Sequence, residues 1–171
     1  MTFEEKQQKL EKLLVVYQNY FDILRDVSID GVTFPATAEF HSRSEKYVLV
    51  KAAQIWATES NEYAYFYIAD KLGADELDKV YQTARDAGLK LVKPHSEHMY
   101  SFVTLVILSD EIDEDAKEAL QKLRFEKNFR LSLHGWMEFR IAAINLSNGE
   151  IITNRKGKDV RAILEQNLQS K

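Results

Sequence analysis

The sequence contains no cysteine. This absence excludes disulfide bonds, zinc sites built on thiolates, and catalysis by a cysteine nucleophile. Glycine and proline are also scarce, with 6 and 2 residues in a chain of 171. So few chain breakers imply short connections between elements, and the length suits one domain with one sizeable core.

A long apolar run is missing as well. The longest, FVTLVIL at 102–108, is far shorter than the roughly 20 residues that cross a bilayer. The first residues, MTFEEKQQKLEK, are acidic where a secretory signal would be basic and then apolar. The 23 basic and 27 acidic side chains give a formal charge of -4, hence no general attraction for nucleic acid or an anionic membrane. We therefore expect a cytoplasmic protein without a membrane or nucleic-acid partner, since either contact would need a local patch.

Four segments have the apolar spacing of helices. Thr2 and Glu5 form a capping box, and apolar residues at helical spacing then run to Leu24, which predicts an N-terminal helix over about 3–25. A second helix is predicted over 76–88, with Gly88 as its C-terminal cap. Two more follow at 109–123 and around 160–168.

The other patterned segments are typical of strands. They are TFPATAEFH, KYVLVKAAQIW, NEYAYFYIA, MYSFVTLVIL, FRLSLH, WMEFRIAAINL and EIIT, with turn signals at Asp30-Gly31 and Asn148-Gly149. These patterns predict a single α+β domain spanning 1–171, with its strand and helix core over about 31–169. We expect a mostly antiparallel sheet of about six to eight strands, with about four helices packed largely on one face.

Two of the four histidines stand three apart in KPHSEHMYSF. On a strand, His95 and His98 would point to opposite faces, whereas a turn after Pro94 would bring them together. Zinc needs three or more protein ligands, and the remaining candidates, His41 and His134, lie in separate runs. We interpret these histidines as structural or surface residues, and predict no metal and no cofactor.

Two rows of alternating polar residues carry the better candidates for chemistry. In EFHSRSEKY, the alternate residues project to one side of an extended chain, and FRLSLHGWMEFR places polar residues opposite a core side of Phe129, Leu131 and Leu133. If both rows share one sheet face, the groups that meet are the acid-base candidates His41, Glu45 and His134 and the anion-binding candidates Arg43, Arg130 and Arg140. Ordinary cross-strand ion pairs on an exposed face explain the same rows, and we favour that interpretation.

No G-x-S-x-G, H-E-x-x-H or G-x-G-x-x-G motif occurs. Our leading hypothesis is therefore a binding or interaction module that recognises a small anionic ligand or a protein partner. The alternative is a hydrolase-type enzyme that uses His41, Glu45 and His134 as acid and base on an anionic substrate.

A stripe of aromatic residues suggests self-association. Tyr63, Tyr65 and Tyr67 alternate along one strand and therefore lie on one face. A sheet covered by helices on one side leaves its other face open, and tyrosine is enriched at interfaces. We predict a homodimer formed through this face.

Four stretches, HSRSEKYVLVKAAQIWATESNEYAYF, KPHSEHMYSF, LSLHGW and ITNRKGK, occur in this order between about residues 37 and 160. In these stretches the chain resembles a family of small uncharacterised bacterial proteins. The resemblance implies a single-domain intracellular protein and carries no activity, cofactor or catalytic residue.

Overall fold

The structure is a computed structural model that describes residues 1–47 and 54–169, with side chains in 1–42 and 59–169. Four helices and seven strands occur in these residues. In chain order they are α1 (Phe3–Tyr17), β1 (Asp22–Ile29), β2 (Val32–Tyr47), β3 (Gln54–Leu72), α2 (Ala74–Leu91), β4 (His98–Ile112), α3 (Glu114–Lys122), β5 (Glu126–Asn128), β6 (Trp136–Asn145), β7 (Ile151–Thr153) and α4 (Lys158–Leu168).

The N-terminal helix starts as predicted but is shorter. The Thr2 side chain and Glu5 form the capping box, which confirms the start of α1. The helix ends at Tyr17 instead of about residue 25, and the following segment is β1. β1 pairs with β2 through a turn at Asp30 and Gly31, whose φ angles are 48° and 80°. This hairpin gives the backbone of β1 hydrogen-bond partners, which compete successfully with continuation of the helix.

The prediction of a mostly antiparallel sheet is wrong, because the sheet is mixed. Its strand order is β1-β2-β3-β4-β6-β5, with β7 also paired to β6. β3, β4 and β6 are parallel, and the remaining pairs are antiparallel. The parallel arrangement arises because α2 and α3 carry the chain back to the end of the sheet at which β3 starts, before β4 and β6 begin. The α+β class, the number of helices and the number of strands agree with the sequence patterns.

Helices cover both faces of the sheet, so the prediction that they pack largely on one face is also wrong. α2 and α3 pack on the face that contains Val103 and Leu105, which we call the α2/α3 face. α1 and α4 pack on the face that contains Val106 and Leu108, the α1/α4 face. The central strand β4 is apolar on both sides, so burying one side alone would leave the other in water.

Gly88 does not end α2, which continues to Leu91. A Cβ atom at Gly88 would lie 2.5 Å from a methyl carbon of Val103. The glycine therefore sits inside the helix because α2 approaches β4 too closely at this point for any side chain.

A buried lysine fixes the position of α1. The Lys6 side chain is fully buried, and its Nζ contacts the carboxylates of Asp70 and Asp110 and donates to the Ala69 carbonyl at 3.2 Å. These acceptors lie near the carboxyl ends of β3 and β4. α1 therefore starts at that end of the sheet, and its last residue, Tyr17, packs edge-on against Phe66 with ring centroids 5.0 Å apart.

Candidate functional site

Three rows of side chains cross the α1/α4 face beyond the end of α1, on the side of Phe66 toward the amino end of β3. The register of the strands sets the first row as Ala38, Ala64, Thr104 and Arg140, the second as Phe40, Glu62, Phe102 and Glu138, and the third as Ser42, Ser60, Tyr100 and Trp136. The aromatic residues of the second and third rows are partly exposed. This part of the sheet therefore presents aromatic rings together with a few charged groups.

An ion pair lies in the middle of these rows. Arg140 Nη2 donates to Glu62 Oε1 at 2.8 Å, and the side chains are only 10% and 17% exposed. The Thr104 hydroxyl donates to the same Glu62 oxygen at 2.8 Å. The Arg140 guanidinium also stacks on the Phe102 ring, with 3.7 Å between its carbon and the ring centroid. Such contacts are what a charge needs when it leaves water.

One donor of this arginine is unsatisfied. Arg140 Nε is the only buried side-chain nitrogen or oxygen without a hydrogen-bond partner in the part of the chain that the structure describes. The second carboxylate near the guanidinium, Asp159 in the first turn of α4, is 3.8 Å from Nη1 and almost fully exposed. Glu62 is thus the one close hydrogen-bond acceptor of Arg140 among the described residues, and the guanidinium has unused hydrogen-bonding capacity.

A cleft of about 220 Å³ opens above this pair. Its walls are Val16, Tyr17, Tyr20 and Phe21 on one side and Val160 and Ile163 of α4 on the other, and its charged residues are Glu62, Arg140 and Asp159. Apolar walls around a few polar groups are the usual composition of a small-molecule site, although this cleft is smaller than the roughly 300–1,000 Å³ of typical ones. We call this feature the α1/α4 cleft.

A larger groove of about 560 Å³ lies between the β1–β2 hairpin and the start of α2. Its lining includes Val32, Pro35 and Tyr67, and the Tyr67 hydroxyl donates to Glu76 at 2.6 Å. None of its charged residues is buried. The groove therefore lacks the buried polar groups that fix the orientation of a ligand, and the α1/α4 cleft is the better candidate.

The two predicted polar rows do not converge. His41 lies on the α2/α3 face, where its Nδ1 is 2.8 Å from Asn61 Oδ1 and its ring is 5.8 Å from that of Tyr63. Arg140 lies on the opposite face, in register with Thr104. The condition under which the two rows would meet, a shared sheet face, is therefore not fulfilled for His41 and Arg140. The side chains of Arg43 and Glu45 fall outside the described residues.

The segment FRLSLH is a turn instead of the predicted strand. Arg130, Leu131 and Ser132 have positive φ angles of 47°, 53° and 68°. Leu131 and Leu133 are exposed, so they are not on the core side. Arg130 Nη1 lies 3.5 Å from His134 Nε2, which brings together two of the predicted site residues at a distance from the α1/α4 cleft.

His95 and His98 come together in a turn after Pro94, which was the second of the two alternatives for this segment. The amide of His98 donates to the His95 carbonyl at 3.0 Å, and the ring centroids are 6.3 Å apart. His95 Nδ1 accepts from the Glu97 amide at 3.2 Å, so its proton lies on Nε2, which is 2.7 Å from Glu59. Both nitrogens of His95 are therefore occupied by protein partners.

His98 and Ser101 are arranged like a base and a nucleophile. His98 Nδ1 donates to the His134 carbonyl at 2.6 Å, which leaves Nε2 to accept from the Ser101 hydroxyl at 2.8 Å. However, His98 is 3% exposed and Ser101 is 0% exposed. A substrate has no access to either, so this pair supports the start of β4 structurally. The described residues contain no group of three or more histidine or acidic side chains placed to hold a metal ion.

The tyrosine face lies in the core. Tyr63 and Tyr65 are buried with the α2/α3 cluster, and Tyr67 packs at its edge. The Tyr63 hydroxyl donates to the Leu91 carbonyl at 3.1 Å, and burial raises the pKa of Tyr63 to about 12. Since α2 occupies this face, it is not available to a second chain. Self-association itself stays a prediction.

Sequence reasoning found Arg140 but missed its partners. A usable signal was present, because Glu62 stands within the apolar strand NEYAYFYIA just as Arg140 stands within WMEFRIAAINL. A charged residue inside a strand that is otherwise buried requires an opposite charge nearby.

Helices packed in pairs on both faces of a mixed sheet place this protein in the α+β class. The chain belongs to the family described as a domain of unknown function (DUF8052), which matches residues 5–166. This membership confirms the resemblance to an uncharacterised family. No curated protein and no solved structure matches the chain. In the residues that the structure describes, no helix has the length and apolar character needed to cross a membrane.

Proposed function

We propose that the protein is a binding module that takes a small, mostly apolar molecule with one polar end into the α1/α4 cleft. The observation that carries this proposal is the Arg140–Glu62 pair, in which Arg140 is buried and Glu62 largely so, between the apolar walls of the cleft. A buried ion pair is often no more stabilising than apolar residues of the same volume. Its position in the cleft therefore favours a role in recognition.

The cleft supports a ligand of limited size and particular chemistry. Its volume of about 220 Å³ suits a single ring with a short substituent. A ring would pack against Tyr17, Val160 and Ile163, and its polar end would meet the guanidinium of Arg140 or the carboxylate of Glu62. An anionic end is compatible with Arg140, but Arg130 lies elsewhere and does not contribute to the same site.

Two further parts of the proposal are the location of the protein and its self-association. A chain without cysteine suits the reducing cytoplasm, where we place the protein. A homodimer stays part of the proposal, formed through a surface other than the tyrosine face. The hydrolase hypothesis has no comparable support, because His41 and His134 have separate hydrogen-bond partners.

Three probes of one size test the proposal, namely benzoate, benzamidine and benzyl alcohol. We expect at least one to bind with a Kd near or below about 1 mM, which corresponds to about -4.1 kcal/mol. Titration calorimetry or chemical shift changes in the protein would measure this, and the preferred probe would show whether Arg140 or Glu62 selects the polar end.

Two neighbouring valines provide the matched variants. Val16 lines the cleft, whereas Val15 is exposed one position earlier on α1 and does not line it. Val16→Arg should block the cleft and abolish binding, and Val15→Arg should leave the Kd unchanged. If none of the three probes binds, or if Val16→Arg binds as well as the wild type, the proposal is wrong.

A further inference from the structure

The turn between β5 and β6 has an unusual backbone. Arg130, Leu131 and Ser132 adopt left-handed φ angles of 47°, 53° and 68° in succession. Residues other than glycine rarely adopt this conformation even singly, because the Cβ atom crowds the backbone. Three in a row are retained only where surrounding contacts hold them.

The base of the turn supplies those contacts. The Phe129 amide donates to the Gly135 carbonyl at 3.0 Å, and the His134 amide donates to the Phe129 carbonyl at 3.1 Å. The buried His98 ring donates to the His134 carbonyl at 2.6 Å. A Cβ atom at Gly135 would lie 2.3 Å from the Met99 carbonyl, so the base is tightly packed. The turn is therefore a fixed feature of the fold.

The fixed turn holds two leucines in solvent. Leu131 is 94% exposed and Leu133 is 76% exposed, and Leu131 is the most exposed large hydrophobic residue in the described part of the chain. Met99, beside the base of the turn, is also exposed. An apolar tip on a strained and firmly held backbone indicates a contact surface.

The charge beside the leucines is positive. Arg130 lies in the turn itself, and Lys127 lies over the ring of Phe129, 5.9 Å from its centroid. Neither cation has an ion-pair partner within the described residues, whereas the neighbouring Glu126 is paired with Lys156 at 3.5 Å. The tip therefore combines apolar side chains with unpaired cations in a protein whose formal charge is -4.

We propose that this turn docks the protein reversibly on an anionic lipid surface. Leu131 and Leu133 would enter the boundary between headgroups and acyl chains, while Arg130 and Lys127 contact lipid phosphates. A stable protein partner would require about 800 Å² on each side, far more than two leucines on a protruding turn offer. A bilayer accepts such a small insertion, and the fixed backbone avoids the entropy loss of ordering the tip on contact.

Sedimentation with vesicles tests the proposal. The probes are vesicles of phosphatidylcholine alone and vesicles with about 30% phosphatidylserine. We expect the wild type to pellet with the anionic vesicles and to be released at about 0.5 M salt. The double variant Leu131→Ser, Leu133→Ser should bind at least about fivefold more weakly, and Arg130→Gln should reduce binding to the anionic vesicles.

Leu24→Ser is the matched control, because Leu24 is 60% exposed on β1 and does not belong to the turn. It should bind like the wild type, and near-equal melting temperatures would show that all variants are folded. The proposal is overturned if the wild type does not pellet with anionic vesicles, or if the double leucine variant pellets equally well. Equal binding to both vesicle types also overturns it. The proposal is likewise overturned if the wild type in solution has a mass near twice 19.8 kDa and the double leucine variant does not, because a second copy of the chain would then be the occupant.

Discussion

Replacing Arg140 by methionine measures what the ion pair in the α1/α4 cleft contributes to stability. Methionine keeps an unbranched apolar stem but removes the guanidinium. The Glu62 carboxylate then retains only the Thr104 hydroxyl of its two close donors. Since the Glu62 side chain is 17% exposed, water compensates for the loss only in part.

The size of the effect follows from these contacts. Breaking a buried ion pair by removing one partner costs about 3–5 kcal/mol, and the remaining donor and limited water access place this case at or below the lower end. Loss of the stacking on Phe102 adds about 0.5–1 kcal/mol. Removing the unpaired Nε donor returns about 1 kcal/mol, and Asp159 is too exposed to matter. We expect the free energy of unfolding to fall by about 2–3 kcal/mol.

Urea unfolding measures this loss as a lower midpoint with the slope m unchanged. In thermal unfolding, the melting temperature should fall by about 4–12 °C. The double variant Glu62→Leu, Arg140→Met removes both charges and should lie within about 1–2 kcal/mol of the wild type, the remaining loss arising from the unpaired Thr104 hydroxyl. A loss below about 0.5 kcal/mol in the single variant would refute the reasoning, as would a double variant no more stable than the single one.

Three further predictions concern the α2/α3 face. Gly88→Ala should lower the free energy of unfolding by about 1–3 kcal/mol, although alanine has the better helix propensity, because its Cβ would overlap Val103. In urea unfolding, adding Val103→Ala to this variant should restore part of the loss. Burial raises the pKa of Glu59, but hydrogen bonds, chiefly to His95, outweigh it and hold that pKa below its usual value. The resulting stability is present above about pH 4.3 and is lost as the pH falls through the lower folded pKa, so Glu59→Gln should show a flatter acid unfolding curve than the wild type. Tyr65→Lys should unfold the protein, as seen by circular dichroism, instead of changing its mass in light scattering, because Tyr65 is buried beneath α2.

Several features of the fold depend only on residues that are close together in the chain, and the sequence by itself determined these features. The start of α1 rests on the side chain of Thr2 and the carboxylate of Glu5, three residues apart. The β1–β2 turn requires positive φ at Asp30 and Gly31, which aspartate and glycine tolerate. The continuous apolar run at 102–108 is typical of a strand buried on both faces, and β4 is such a strand.

The same local patterns gave wrong results where a distant partner decided the outcome. Residues 22–29 have apolar spacing that also fits a helix, and pairing with β2 makes them a strand. Tyr65 belongs to an aromatic stripe that suits a surface as well as a core, and the path of α2 makes it core. Leu131 alternates as in a strand, yet contacts to His98 and Gly135 hold its segment in a left-handed turn.

The candidate site shows the same division. The sequence supplied Arg140 as a charge within an apolar strand, but strand order brought it beside Glu62, which is 78 residues away in the chain. The register of β2, β3, β4 and β6 also placed Arg140 and His41 on opposite faces, which separated the two predicted rows. Residue spacing fixes which side chains share a face within one strand, because successive side chains alternate. Which strands become neighbours depends on how all the apolar surfaces of the chain are buried together, and no short stretch of sequence contains that information.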